Sequence, residues 1–249
     1  MKISDLTKMI LICSGLISGF SGIALADGNA LYLENFDLLT ADQPLVGQAP
    51  HWSSWNSRPT IGAVVIKSTP PYSSPNVLDL KNTLSTDTAV RYTFQSPIPL
   101  SQIGSVRFMF KAPAFSSSAS GLAFGALGNA GKLWIFQAEI SGDGNAMQIS
   151  RKPNGFDDVQ PFSSPLVPDT WYEVRATFAL EGEKYNITWT ITDPSSHQTL
   201  FNYSSPQFAG GNLDDLYLIC FANNADVRNS GINDLWIDDL SVEPPSAKK

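Results

Sequence analysis

Three small groups of side chains in this chain are of types that can do chemistry, and two of them also have the spacing. The first is a pair of adjacent carboxylates, Asp238 and Asp239, inside the apolar run "LWIDDLSV" (235–242), with Asp234 just before it. Successive side chains on a strand face opposite ways. Trp236, Asp238, Leu240 and Val242 then share one face, and Leu235, Ile237, Asp239 and Ser241 the other. One aspartate must point toward the apolar side, where a carboxylate is costly unless it is paired, hydrogen-bonded or metal-bound. Two answers stay open: the pair helps hold a cation, or it sits at a sheet edge and accepts backbone N–H groups. The second group is Trp52 and Trp55 in the Ser-rich loop "HWSSWNSRP" (51–59). A planar aromatic ring suits the C–H face of a sugar, and a few amides or carboxylates fix its hydroxyls. Tyr217, Gln137 and Glu139 can join such a site if their side of the sheet faces out. The competing role for each tryptophan is to plug one end of the core. Asn56 and Arg58 add polar reach without specificity.

The third group is acids and bases for hydrolysis, and here the patterns are missing. Glycoside hydrolysis needs two carboxylates about 5–9.5 Å apart. Glu139 has Gln137 rather than an acid two residues before it, and Glu181 and Glu183 fall in the turn "LEGEK". There are two histidines, His51 in the tryptophan loop and His197 in "DPSSHQTL". No G-x-S-x-G nucleophile motif or His/Cys zinc spacing occurs.

The elements that must position these groups read as strands. Period-two alternation dominates, and no segment carries a helical stripe. In "KYNITWTITD", Tyr185, Ile187, Trp189 and Ile191 fall on one face and Asn186, Thr188, Thr190 and Thr192 on the other. Upstream, "TWYEVRATFAL" groups Tyr172, Val174, Ala176, Phe178 and Leu180, and "EGEK" between the two runs predicts a hairpin with Gly182 in its turn. Eleven further runs follow the rule: 31–37, 62–68, 76–81, 89–94, 105–111, 121–127, 132–140, 146–151, 199–203, 215–222 and 235–242. About thirteen strands with regular turns and no blade-length repeat predict an all-β, two-sheet antiparallel β-sandwich or jelly roll. "DLYLICFA" is apolar on both faces, which predicts a central strand covered on both sides. "GLAFGAL" puts Ala123 and Gly125 on one face, where small residues leave a groove or admit a loop.

The bulk numbers fit an exported domain. In 249 residues, 43% hydrophobic content supports a sizeable core, while charged residues are only 16%. Residues 1–26 read as a secretory signal peptide: Lys2 and Lys8, an apolar run from Met9 to Ile23, then Ala24-Leu25-Ala26. Its loss leaves Cys220 as the lone thiol, with no internal disulfide and the character of a small buried hydrophobe. The formal net charge of −7, without basic clusters, argues against nucleic acid and anionic membranes as partners. The expected division is a signal peptide, one domain over 27–243 and a polar tail over 244–249, with no membrane insertion after cleavage and a periplasmic or extracellular location.

The order of "LYLENFD", "VRFMFKAP", "DTWYEVRATFAL…KYNITWTITD", "LDDLYLICFA" and "LWIDDLSVEP" resembles the concanavalin A-like lectin/glucanase superfamily, the laminin-G-like jelly rolls. The resemblance covers nearly the whole chain after residue 26 and is one of pattern and order. It implies that the first and last strands lie together. It also implies a structural calcium held by Glu34 and Asp238, with Asp239 or Asp37 assisting. Together, the residues and the resemblance lead to a non-catalytic, lectin-like protein whose partner is an extracellular polysaccharide or glycan. The alternatives are a glycan-cleaving enzyme with an atypical site and a structural or adhesive surface protein.

Overall fold

The computed structural model describes residues 30–55, 60, 62–68, 75–82, 88–115, 121–150, 158–181, 184–205, 215–224 and 234–246. The expected signal peptide, the end of the expected polar tail (247–249), Asn56, Arg58, Gly182 and Glu183 lie outside the described residues. Among the described residues, sixteen strands form two antiparallel sheets, with one short 3-10 turn, Leu100–Gln102. One sheet runs in the order β14 (Gln198–Ser205), β13 (Lys184–Asp193), β12 (Tyr172–Glu181), β7 (Ser105–Lys111), β16 (Trp236–Glu243), β5 (Asn76–Leu80), β4 (Ala63–Lys67) and β2 (Gln43–Pro44). Its ninth strand, β1 (Tyr32–Glu34), pairs with β16. The other sheet has seven strands: β11 (Asp158–Pro161), β10 (Ala146–Ile149), β9 (Leu133–Ile140), β8 (Leu122–Gly128), β15 (Asp215–Asn223), β6 (Thr88–Pro99) and β3 (Trp52–Ser54).

All thirteen expected segments are strands. The three additional ones, β2, β3 and β11, have two to four residues each and lie at sheet edges. Pro44 and Pro161 end two of them. A proline cannot donate to a ladder, so its place at an edge both costs nothing there and blunts further pairing. β6 extends to Pro99 through a stretch that reads as a turn.

The expected hairpin is β12–β13, paired in register from Glu173↔Thr192 to Glu181↔Lys184. Its inward residues Val174, Ala176, Ile187, Trp189 and Ile191 are buried, and Thr188, Thr190 and Thr192 are only partly so. The inner faces of the two sheets meet as interlocking aromatics. Phe108 of the nine-stranded sheet packs edge-on against Phe124 (4.9 Å between ring centroids) and Phe221 (5.0 Å) of the other. Edge-to-face rings at 4.5–7 Å are the favoured aromatic geometry.

The closing strand corrects the expected face assignment. Pairing between β16 and β7 shifts register between Asp238 and Ser241, and Asp239 adopts φ +46°. This is a β-bulge, and it re-phases the strand. Leu235 and Ile237 before it and Leu240 and Val242 after it all reach the core, each fully buried. Asp238 caps the bulge: its Oδ1 accepts the Asp239 N–H at 2.8 Å. The bulge falls where the other neighbour of β16 changes, from β5 at Trp236–Ile237 to β1 at Leu240–Val242. The adjacent carboxylates thus mark a break in alternation, with Asp238 fully buried at the bulge and Asp239 half-buried.

Candidate functional site

The outer face of the seven-stranded sheet is unusual for being floored with small residues. Ala89 of β6, Ala123 and Gly125 of β8, and Cys220 and Ala222 of β15 lie there, bordered by Leu127 and Leu218. β15 is central, as expected, and both of its faces are covered: Ile219 and Phe221 by the core, and Leu218, Cys220 and Ala222 by aromatic side chains. Those side chains are Trp55, Trp134 and Tyr217.

Local irregularities aim them. Trp55 follows β3, and its N–H donates to Ala89 O at 3.3 Å. In β9, Leu127↔Trp134 and Ala126↔Phe136 are consecutive pairs, so Ile135 is an extra residue. Ile135 and Phe136 are both buried in the core, and Trp134 is turned outward. In β15 the register against β6 slips between Leu216 and Leu218, which frees Tyr217 in the same direction. Bulges re-aim side chains in this way and recur beside binding sites.

Trp55 and Trp134 meet with ring centroids 5.5 Å apart and an interplanar angle of 62°. A Cβ built at Gly125 would fall 2.5 Å from Trp134 Cζ3, so the absence of a side chain lets the indole lie down on the strand. Beside the rings is a cavity of about 390 Å³, lined also by Arg91, Thr93 and the Ala130–Gly131 turn. Asn129 (φ +50°), Ala130 (+58°) and Gly131 (+79°) run left-handed in succession. The Asn129 N–H anchors the turn by donating to Asp215 Oδ1 at 2.8 Å. Cys220 lies in the floor, and burial pushes its thiol far above the usual range, which makes it a packing residue rather than a nucleophile.

Of the five residues expected to touch sugar, Trp55 and Tyr217 come together at this cavity. Trp52 goes the other way. It is 2% exposed, packs on Phe36 and Tyr92, and belongs to the main core. Glu139 is buried as a clamp, with Oε1 accepting the Gly121 N–H at 2.9 Å and Oε2 accepting from Asn224 Nδ2 at 3.4 Å. Gln137 is half-buried opposite Gly125, outside the cavity lining. Trp134 is the residue the sequence reading missed. His51 faces Gln95 Nε2 at 3.1 Å, and His197 lies in a turn at φ +59°.

The first and last strands do pair, with Glu34 opposite Leu240. Glu34 is nevertheless engaged by protein donors: Oε1 accepts the Phe36 N–H at 3.1 Å, and Oε2 accepts from Trp52 Nε1 and Tyr32 Oη, each at 3.5 Å. Burial raises its pKa, partly offset by those bonds. Asp238 caps the bulge. Among the described residues no three His, Cys, Asp or Glu side chains gather to hold a metal. Ca²⁺ takes six to eight oxygens, whereas the Glu34 and Asp238 carboxylates accept from protein N–H groups here. The melting temperature is therefore expected to be the same in EDTA and in millimolar Ca²⁺. A rise of several degrees with Ca²⁺ in differential scanning fluorimetry would overturn that expectation.

No protein-family model matches the chain, and no curated protein does. Solved structures do. The chain is similar to lectin II from Ulex europaeus (14% identity, 86% of this chain and 98% of that one, TM-score 0.53) and to peanut lectin (13%, 85% and 96%, 0.53). It is also similar to the carbohydrate recognition domain of Emp47p (11%, 85% and 94%, 0.52). The protein has the concanavalin A-like jelly-roll fold. At these identities the likeness is one of fold.

Proposed function

We propose that this protein is an exported, lectin-like carbohydrate binder whose site is the Trp55–Trp134 cavity on the outer face of the seven-stranded sheet. One observation carries the reading: two indoles stand over a floor of small residues, beside a cavity with polar groups at its edge. The volume lies within the roughly 300–1,000 Å³ typical of small-molecule sites. A sugar ring lays its C–H face on an indole, while Thr93 and Tyr217 meet its hydroxyls. The fold supports the reading, since solved structures that share it include a lectin complexed with galactose and another with Tn-antigen.

Glycan-array screening followed by calorimetry tests the proposal. Trp134→Ala and Trp55→Ala are each expected to weaken the best glycan about 10- to 100-fold, the usual loss at an aromatic hot spot. Trp52→Phe is expected to lower the melting temperature and leave affinity unchanged, because its ring lies inside. A blank array, or equal losses in all three folded variants, would sink the assignment.

A further inference from the structure

Four of the seven cationic side chains described here are answered by carboxylates. Arg107 Nε lies 2.6 Å from Glu243 Oε1, and Arg175 Nη1 lies 2.8 Å from Glu243 Oε2. Lys111 Nζ meets Asp169 at 2.9 Å, and Lys81 Nζ meets Asp234 at 3.4 Å. Lys67 and Lys132 are exposed to solvent. Arg91 differs from both sets. It is half-buried and lines the cavity, its Nε donates to Ser53 Oγ at 3.1 Å, and it meets no carboxylate among the described residues. The described lining of the cavity contains no acid at all. A guanidinium has five N–H donors in a planar fork that matches a carboxylate or sulfate two-pronged. A half-buried guanidinium whose described partner is one neutral hydroxyl can donate charge-assisted hydrogen bonds to a ligand anion.

Resting on the carbohydrate reading above, we infer that the cavity selects anionic saccharides, with Arg91 receiving a carboxylate or sulfate ester while the sugar ring rests on Trp55 or Trp134. The selection is local. The formal charge of −7 repels polyanions at a distance, so short oligosaccharides are the right probes.

The experiment titrates the full-length exported protein with neutral galacto-oligosaccharides, oligogalacturonates and sulfated galacto-oligosaccharides of matched length. At least one anionic series is expected to bind tenfold or more tightly than the neutral one. Whichever of the two is preferred identifies the group. Arg91→Gln is expected to erase the preference and spare neutral binding, and Arg91→Lys to retain part of it, since charge remains without the fork. Circular dichroism and melting controls check that both variants fold. Equal binding of neutral and anionic sugars by the wild type would overturn the inference and leave the carbohydrate site standing. Preference unchanged in folded Arg91→Gln would do the same. No binding of any sugar would remove both.

Discussion

Trp189→Ala is expected to destabilise the protein by about 3–5 kcal/mol, the usual range for deleting a fully buried tryptophan. The Trp189 ring reaches from β13 across the interior, with centroids 5.1 Å from Phe136 and 5.7 Å from Phe124 of the opposite sheet. It is 1% exposed, so its removal leaves a cavity between the sheets rather than a surface dent. Trp189→Phe separates volume from hydrogen bonding. The indole N–H has no acceptor among the described residues, so losing it costs nothing and relieves a buried donor. The phenylalanine variant should lose less than half as much as the alanine one. Urea unfolding followed by circular dichroism reads both. Equal losses would mean that ring volume at this position does not join the sheets.

Asp79→Asn is expected to act in the opposite direction and to depend on pH. Asp79 lies on β5, paired with Val64 and Trp236, and is 5% exposed, with Oδ1 unpartnered among the described residues. Burial raises its pKa from 3.8 to about 7; the charge of Asp234 adds to the rise and Lys81 opposes it. The folded protein therefore holds this proton more tightly than the unfolded chain. Below about pH 3.8 both states are protonated and Asp79 carries no penalty. Stability is lost as pH rises from there to about 7, and above it the full loss of about 4 kcal/mol persists. Asparagine mimics the protonated acid. The variant should match wild type near pH 4 and exceed it by a few kcal/mol at pH 8. Chemical denaturation across that range tests it, and a stability difference independent of pH would refute the assignment.

Alternation made most of the sandwich legible before any coordinates. It placed thirteen strands, the β12–β13 hairpin and the doubly covered β15. It fails where a strand is too short to alternate, as in β2, β3 and β11, or where a bulge adds a residue. The bulge at Asp238–Asp239 reversed half of the closing strand's predicted faces. The bulge at Ile135 hid Trp134, which strict alternation groups with Phe136 inside the core. The clue in the sequence was across the ladder, at Gly125, whose missing side chain makes room for the ring. Trp52 and Trp55 are three residues apart, a spacing that sends one inward and the other outward, and the loop reading did not use it.

The position of β16 has a kinetic consequence. One edge of this strand pairs with β7, and the other with β5 and then β1. Ladder hydrogen bonds therefore join β14-β13-β12-β7 to β5-β4-β2 only once β16 is in place. The Tyr32↔Val242 contact spans about 210 residues, and non-local pairing of this kind slows folding toward milliseconds or longer. Of the described strands the last in sequence is the one that unites the sheet, so its completion waits on the longest-range pairing in the fold.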